Sequence, residues 1–327
     1  MDIFKAFKKS MGEYDSIQKS KHWKKFDQRK HLYSPENLEN FRNNKLSLGL
    51  DDQYSDKEQK EIFQDLVNEL GEEYVLSNLT DKNIGNSQTF FKVGNLFIDG
   101  GQNFHIKWLH ELEILVFSKT KVNYICEIGG GYGSLAQKIR AKHNCKYILI
   151  DLPEANLLSS YYLSKHFPDL KFLLCDQING KFVSRDDIEA YDFIIVPPWY
   201  KIVEDLKIDL FINTRSMMEM NFEVIKKYFN FIHKYIMVDG FFFNINRYYK
   251  SSVGYPIKLS EYPYDENWDV VSSKPSWKQK DIHQLITQRR LDIGNIKEEL
   301  TKIREMGKAF VPKKVSLFSR IWNILFQ

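Results

Sequence analysis

Glu127, three alternating glycines (Gly129, Gly131, Gly133) and Asp151 are the residues whose types and spacing carry the most chemistry. They fall in two stretches, CEIGGGYGS (126–134) and ILIDLPE (148–154). An apolar, β-branched run precedes the glycines and a helical pattern follows them. A strand, a glycine turn and a helix place backbone N–H groups and the positive end of a helix at the strand's carboxyl edge. That arrangement favours an anionic or polar ligand that the bare backbone can approach closely.

Two ligand classes use this geometry: dinucleotides and S-adenosylmethionine (SAM). The dinucleotide fingerprint G-x-G-x-x-G/A, begun at Gly129, calls for Gly or Ala at position 134, where this chain has Ser134. A carboxylate at Glu127 repels a pyrophosphate but suits a ligand carrying an ammonium and a sulfonium. Asp151 closes the next strand, where an acid accepts hydrogen bonds from both hydroxyls of a ribose. Both ligand classes share that last contact.

With these residues in place, the chain resembles the class I SAM-dependent methyltransferases, EIGGGYG resembling their first motif and ILIDLPE their second. The resemblance implies a glycine loop around the methionyl part of SAM and an acid on its ribose. The implied cofactor residues are Glu127, Gly129, Gly131, Gly133, Asp151 and its neighbour Leu152. For a third contact, to adenine, LLCDQ offers Asp176 and IVPPWY offers Pro198 and Trp199; Asp176 is preferred.

The acceptor side has three candidate stretches. VPPWY resembles the motif of amino-group methyltransferases, but Val196 stands where those proteins hold the amine with a polar side chain. That departure argues against N-methylation of a base. DLFINTRSMMEM delivers Asn213, Arg215, Ser216 and Glu219 to the carboxyl edge of the sheet, although Ser216-x-x-Glu219 also reads as a helix capping box. INTRSMMEM and FFNINRYY, with the upstream ENFRNNKLSLGLDD, are similar to a bacterial branch of class I assigned to sugar O-methylation, over roughly residues 35–290. That resemblance implies Asn213, Glu219, Asn246 and Arg247 near acceptor or cofactor. Histidine titrates near neutrality and suits proton removal. His105, beside the DGGQ turn, is the expected general base, with Glu219 second. Arg215, Arg247, Tyr248 and Trp199 suit a sugar bearing phosphate, by charge and by ring stacking.

Other readings stay open: a methyltransferase of another small molecule such as a secondary metabolite, a non-catalytic scaffold that keeps the fold, and, more distantly, a dinucleotide oxidoreductase. No His-x-x-x-His or carboxylate cluster indicates a metal. Some sugar methyltransferases use a divalent ion, which leaves Mg open.

The elements that must position these residues are legible as a pattern. Residues 1–120 read mainly as a helical cap, with helices over DKEQKEIFQDLVNEL and FHIKWLHELEILVF and a short hairpin between them. Residues 121–290 alternate apolar strands with helices: VNYICEI, CKYILI, LKFLLC, DFIIVP, DLFIN and YIMVDGFFFNI. That is the signature of a Rossmann-like α/β fold, a mostly parallel sheet with helices on both faces and an antiparallel edge from about 250 onward. Residues 291–327 read as a helix and a basic tail.

A chain of 327 residues with a net charge of +4 has too mild an imbalance to call for nucleic acid as a partner. Three cysteines without a C-x-x-C pair are expected to be reduced core thiols of a cytoplasmic protein. The basic, apolar termini, FKAFKKSM and KKVSLFSRIWNILFQ, are expected to touch an anionic membrane surface, pack on the domain, or support dimerisation.

Overall fold

The computed structural model describes residues 1–14, 34–42, 55–87 and 90–312. All of the basic stretch at 19–30, most of ENFRNNKLSLGLDD and all of KKVSLFSRIWNILFQ lie outside them.

The helices are α1 (Ile3–Gly12), α2 (Pro35–Leu38), α3 (Asp56–Leu70), α4 (Glu72–Ser77), α5 (Gly100–Leu112), α6 (Ser134–Lys142), α7 (Pro153–His166), α8 (Arg185–Ala190), α9 (Phe222–Tyr235) and α10 (Ile296–Gly307). The strands are β1 (Phe90–Val93), β2 (Leu96–Asp99), β3 (Tyr124–Ile128), β4 (Lys146–Ile150), β5 (Phe172–Leu174), β6 (Phe182–Val183), β7 (Phe193–Val196), β8 (Lys201–Ile202), β9 (Ile208–Thr214), β10 (Ile236–Arg247), β11 (Tyr249–Lys250), β12 (Ile257–Lys258), β13 (Trp268–Ser276) and β14 (Gln279–Arg289).

Local chemistry explains the boundaries. Ser55 and Glu58 form a capping box at the start of α3, and Gly71, at φ 85°, ends it. Asp99 caps α5 by accepting from the backbone N–H of Gln102, so this helix begins earlier than its apolar pattern indicates. Pro153 occupies the first turn of α7, where its missing N–H costs nothing. The last expected helix begins at Ile296, past the exposed Leu291 and Ile293.

The central sheet has eight strands in the order β13-β14-β10-β9-β3-β4-β7-β5. The six from β10 to β5 are parallel, and β14 runs antiparallel to both β10 and β13. The expected antiparallel edge is therefore the β13–β14 hairpin. Strands β5, β7 and most of β4 are buried on both faces, as covering helices on each side require. The architecture is Rossmann-like. After β3 the chain runs through β4 and then crosses back to β9, on the other side of β3. The crevice at the carboxyl end of β3 is thus the topological switch point, where open α/β sheets bind ligands.

Residues of the amino-terminal region enter this core. Leu38, Phe41, Phe104, Trp108 and Leu109 join the main apolar cluster, while Leu66, Val75, Ile98 and Ile106 form a smaller one. Between the two clusters lies a buried ion pair. Arg42 donates to Asp99, with side chains only 2% and 4% exposed. The Arg42 guanidinium also lies 5.1 Å from the centre of the Tyr132 ring in the glycine turn, and Phe41 packs on the same ring at 5.6 Å. Removing one partner leaves the other charge buried and unmatched. Asp99→Ala is expected to cost roughly 3–5 kcal/mol in urea unfolding, and the apolar pair Arg42→Met with Asp99→Leu to recover most of it. A loss under about 1 kcal/mol for the single change would contradict the role assigned to this pair.

Candidate functional site

The turn between β3 and α6 is anchored from both sides. From β4, Ile150 accepts the Gly129 N–H at 2.8 Å and Asp151 Oδ2 accepts the Gly131 N–H at 2.9 Å. From β9, Asn213 Nδ2 and Ser216 Oγ both donate to the Ile128 carbonyl, at 2.7 and 3.1 Å. The glycines at 129, 131 and 133 take φ of 74°, 58° and 88°, left-handed values that other residues avoid. Their surroundings differ. A Cβ on Gly129 would sit 1.9 Å from Ser216 Oγ, whereas one on Gly131 would meet none of the described residues within 4 Å. Gly129 is a packing glycine. Gly131 has no described residue over its Cβ position, and its N–H is held by Asp151, as in a ligand cradle.

The two carboxylates lie beneath this turn. Asp151 uses its second oxygen to accept from the Leu152 N–H at 2.7 Å. Burial pushes its pKa up to about 7 against the pull of the two N–H donors, helped by the fields of Glu154 and Glu219. Glu127, expected to meet a ligand ammonium, is held inside the sheet. It is 1% exposed, and it accepts a hydrogen bond from the Tyr147 hydroxyl at 2.7 Å. Burial pushes its pKa to about 7 as well, with the Tyr147 bond opposing and Asp151 adding to the shift. A Cβ on Gly130 would lie 3.1 Å from its carboxylate oxygen, so Glu127 lies directly under the turn.

Asn213 and Asn246, read from the sequence as acceptor-side residues, have another task. Both are 0% exposed. Asn213 Oδ1 accepts from Met217 N and Asn246 Nδ2, and Asn246 Oδ1 accepts from Met218 N at 3.0 Å. Asn246 Nδ2 also donates to Asn244, which reaches Tyr264. A buried amide network has to be satisfied internally, and this one holds the ends of β9 and β10 against the glycine turn. Ser216 forms no capping box: α9 is preceded by Asn221, and the Ser216 hydroxyl serves the Ile128 carbonyl.

Arg215 and Glu219 do lie near the turn. Arg215 takes φ 64°, uncommon for a residue with a side chain, and its charge acts on His105. Glu219 pairs with Lys250 at 2.7 Å, and its field reaches Asp151. His105 Nδ1 is hydrogen bonded to Ser134 Oγ at 2.8 Å. Burial, with Lys138 adding to it, drives the His105 pKa down to about 3. The ring is neutral at physiological pH, but its affinity for a proton is far below that of free imidazole. Arg247 lies elsewhere: it pairs with Asp281 beside the antiparallel edge.

Strand order also changes the third contact. Because β7 lies between β4 and β5, Val196 is the register partner of Ile150, and the Asp151 N–H points to the Val196 carbonyl at 3.4 Å. Pro197, Pro198 and Trp199 therefore follow the strand next to Asp151. Asp176 stands one strand further away, about 4.8 Å per strand, with a buried oxygen, Oδ1, that lacks a partner among the described residues. Asn156 Oδ1, on α7, is buried without a partner too. The Trp199 indole N–H donates to Glu13 at 3.0 Å. Sequence reasoning missed Tyr228, whose hydroxyl is held protonated by burial and by the nearby Asp151. It sits on an amphipathic helix face, where nothing in the pattern marks it.

All three cysteines are buried and unbridged. Among the described residues no group of three His, Cys, Asp or Glu side chains could hold a metal ion, and no helix is long and apolar enough to cross a membrane.

No family model and no curated protein sequence matches the chain. Among solved structures it is similar to the N-methyltransferase NodS from Bradyrhizobium japonicum WM9 in complex with S-adenosyl-L-homocysteine, at 10% identity over 58% of this chain and 88% of that one, with a TM-score of 0.38. It is similar to the mitomycin 7-O-methyltransferase MmcR at 14% identity over 58% and 57%, TM-score 0.36. It is also similar to the M. jannaschii tRNA m1G37 methyltransferase at 14% identity over 56% and 49%, TM-score 0.32. Likeness this remote says nothing of substrate. The assignment of fold rests on the strand order and the glycine turn.

The two glycines separate packing from binding. Gly129→Ala drives a methyl group into Ser216 and is expected to lose more stability than Gly131→Ala, which carries only the left-handed penalty of about 1–2 kcal/mol. Equal losses in thermal unfolding would contradict that division. The two carboxyls set a pH dependence. Their folded pKa values lie above the unfolded ones, so between about pH 4 and 7 the folded chain holds more protons than the unfolded chain. Stability contributed by this pair is present at pH 4 and lost as pH rises through 7. Glu127→Gln is expected to flatten that slope in urea titrations at pH 5 and 8; an unchanged slope would contradict it.

Proposed function

We propose that this chain is a SAM-dependent methyltransferase that transfers the methyl group to a sugar hydroxyl. The observation that carries the reading is the Gly131 cradle: a left-handed peptide at the switch point with no described residue over its Cβ position and the Asp151 carboxylate bonded to its N–H. The residues present fit the cofactor. Gly131 leaves room for the methionyl part, and Asp151 keeps acceptor capacity for ribose. In this reading the Asp176 and Asn156 oxygens, without a partner among the described residues, would serve the adenine. The sugar assignment is supported by the resemblance of INTRSMMEM and FFNINRYY and by the charged trio Arg215, Glu219 and Lys250 beside the turn.

Bound SAM supplies a methyl carbon already activated by its sulfonium neighbour. The chain has to orient the acceptor and take up the hydroxyl proton. Of the two expected bases Glu219 is taken as the proton acceptor, because the buried His105 ring takes up a proton so poorly. His105, bonded to the first residue of α6, holds the entry to the turn. Arg215 provides the charge for a phosphate-bearing sugar.

Calorimetry with S-adenosylhomocysteine, followed by transfer from labelled SAM to a panel of nucleotide sugars, tests both levels. Glu219→Gln is expected to bind S-adenosylhomocysteine within about threefold of the unmodified chain and to lose about 100-fold or more in turnover. Full activity of Glu219→Gln would remove it as the base. Transfer confined to phenols or amines would overturn the sugar assignment.

A further inference from the structure

Helix α1 lies across the far end of the crevice, where the loops after β5 and β7 emerge. Ala6, Phe7 and Ser10 line one side of a small cleft, opposite Pro153, Leu174 and Pro197. Two polar anchors fix the helix there. Lys9 Nζ donates to the carbonyls of Cys175 and Ile178, at 2.8 and 3.0 Å, on either side of Asp176. One helical turn on, the Glu13 carboxylate accepts from the Trp199 indole at 3.0 Å and from the Tyr200 hydroxyl at 3.4 Å. The Cys175 thiol donates back to the Ala6 carbonyl at 3.0 Å.

These partners have one thing in common. Lys9 grips the main chain of the loop after β5, and Glu13 grips side chains of the loop after β7. Neither points into the turn that cradles Gly131. The loops they brace carry the unmatched Asp176 oxygen and the prolines that follow the strand next to Asp151. We infer that Lys9 and Glu13 are positioning residues for the adenosine half of the cofactor, and that docking of α1 and binding of the cofactor reinforce each other. The inference rests on the cofactor reading given above. Its physical basis is linkage: a ligand that needs these loops in one arrangement favours the helix that holds them so, and the reverse holds to the same degree.

Full-length Lys9→Met and Lys9→Arg can be compared with the unmodified chain by calorimetry, using S-adenosylhomocysteine and 5′-methylthioadenosine, with thermal unfolding as the control for folding. The two ligands share the adenosine half and differ at the amino-acid end. Lys9→Met is expected to weaken both by the same factor, about tenfold, and Lys9→Arg to restore binding to within about threefold. In the unmodified chain, amide exchange in residues 3–12 is expected to slow when S-adenosylhomocysteine binds, a readout that needs no variant. Unchanged or tighter binding by a folded Lys9→Met chain overturns the inference, as does a loss confined to S-adenosylhomocysteine or unaltered exchange in α1. Each of these leaves the cofactor reading standing. Failure of the unmodified chain to bind either ligand overturns the cofactor reading and this inference together.

Discussion

One peptide carbonyl, that of Ile128, decides the shape of the site. It ends β3 just where the chain turns left-handed, and Asn213 and Ser216 reach across from β9 to occupy it. The Ser216 side chain leaves no room for a Cβ at Gly129, so the turn has a single path. On the other side, Asp151 holds the Gly131 N–H. A turn tied to both neighbouring strands exposes its remaining backbone without collapsing onto itself. Behind it, the amide network of Asn213, Asn246 and Asn244 converts polar residues at strand ends into a rigid floor.

The cap and the site are mechanically one object. Phe41 and Arg42 clamp Tyr132 from above, Arg42 is neutralised by Asp99, and Asp99 in turn starts the helix that carries His105. A segment remote in sequence thus fixes Tyr132 of the glycine turn. At the opposite end α1 plays a similar part through Lys9 and Glu13. The charges below the turn are kept few and buried. Burial, with Asp151 adding to it, raises the Glu127 pKa, and burial with the fields of Glu154 and Glu219 raises that of Asp151, which keeps protons on both nearer neutrality than carboxylates usually allow.

The parts of this arrangement that were legible in the sequence are those with a local cause. A strand, alternating glycines and a helix announce the turn, since only glycine tolerates those φ values. Gly71 and Pro153 mark helix ends for equally local reasons. The partners of Glu127, Asn213, Asn246 and Trp199 were not legible because they are remote. Tyr147 lies on the next strand, and the glycine turn braced by Asn213 comes 85 residues earlier. Glu13 lies 186 residues from Trp199. No periodicity encodes which strand neighbours which, so the insertion of β7 between β4 and β5, which brings Pro197 beside Asp151, could not be read in advance. The strained conformation of Arg215 is equally silent in the sequence.

The most direct measurement is a crystal structure of the full chain with S-adenosylhomocysteine bound. The account predicts the amino-acid end over the bare Gly131 peptide, both ribose hydroxyls on Asp151, and Glu127 still buried on Tyr147. A ligand seated elsewhere, or a side chain filling the space above Gly131 while the ligand is present, would contradict it.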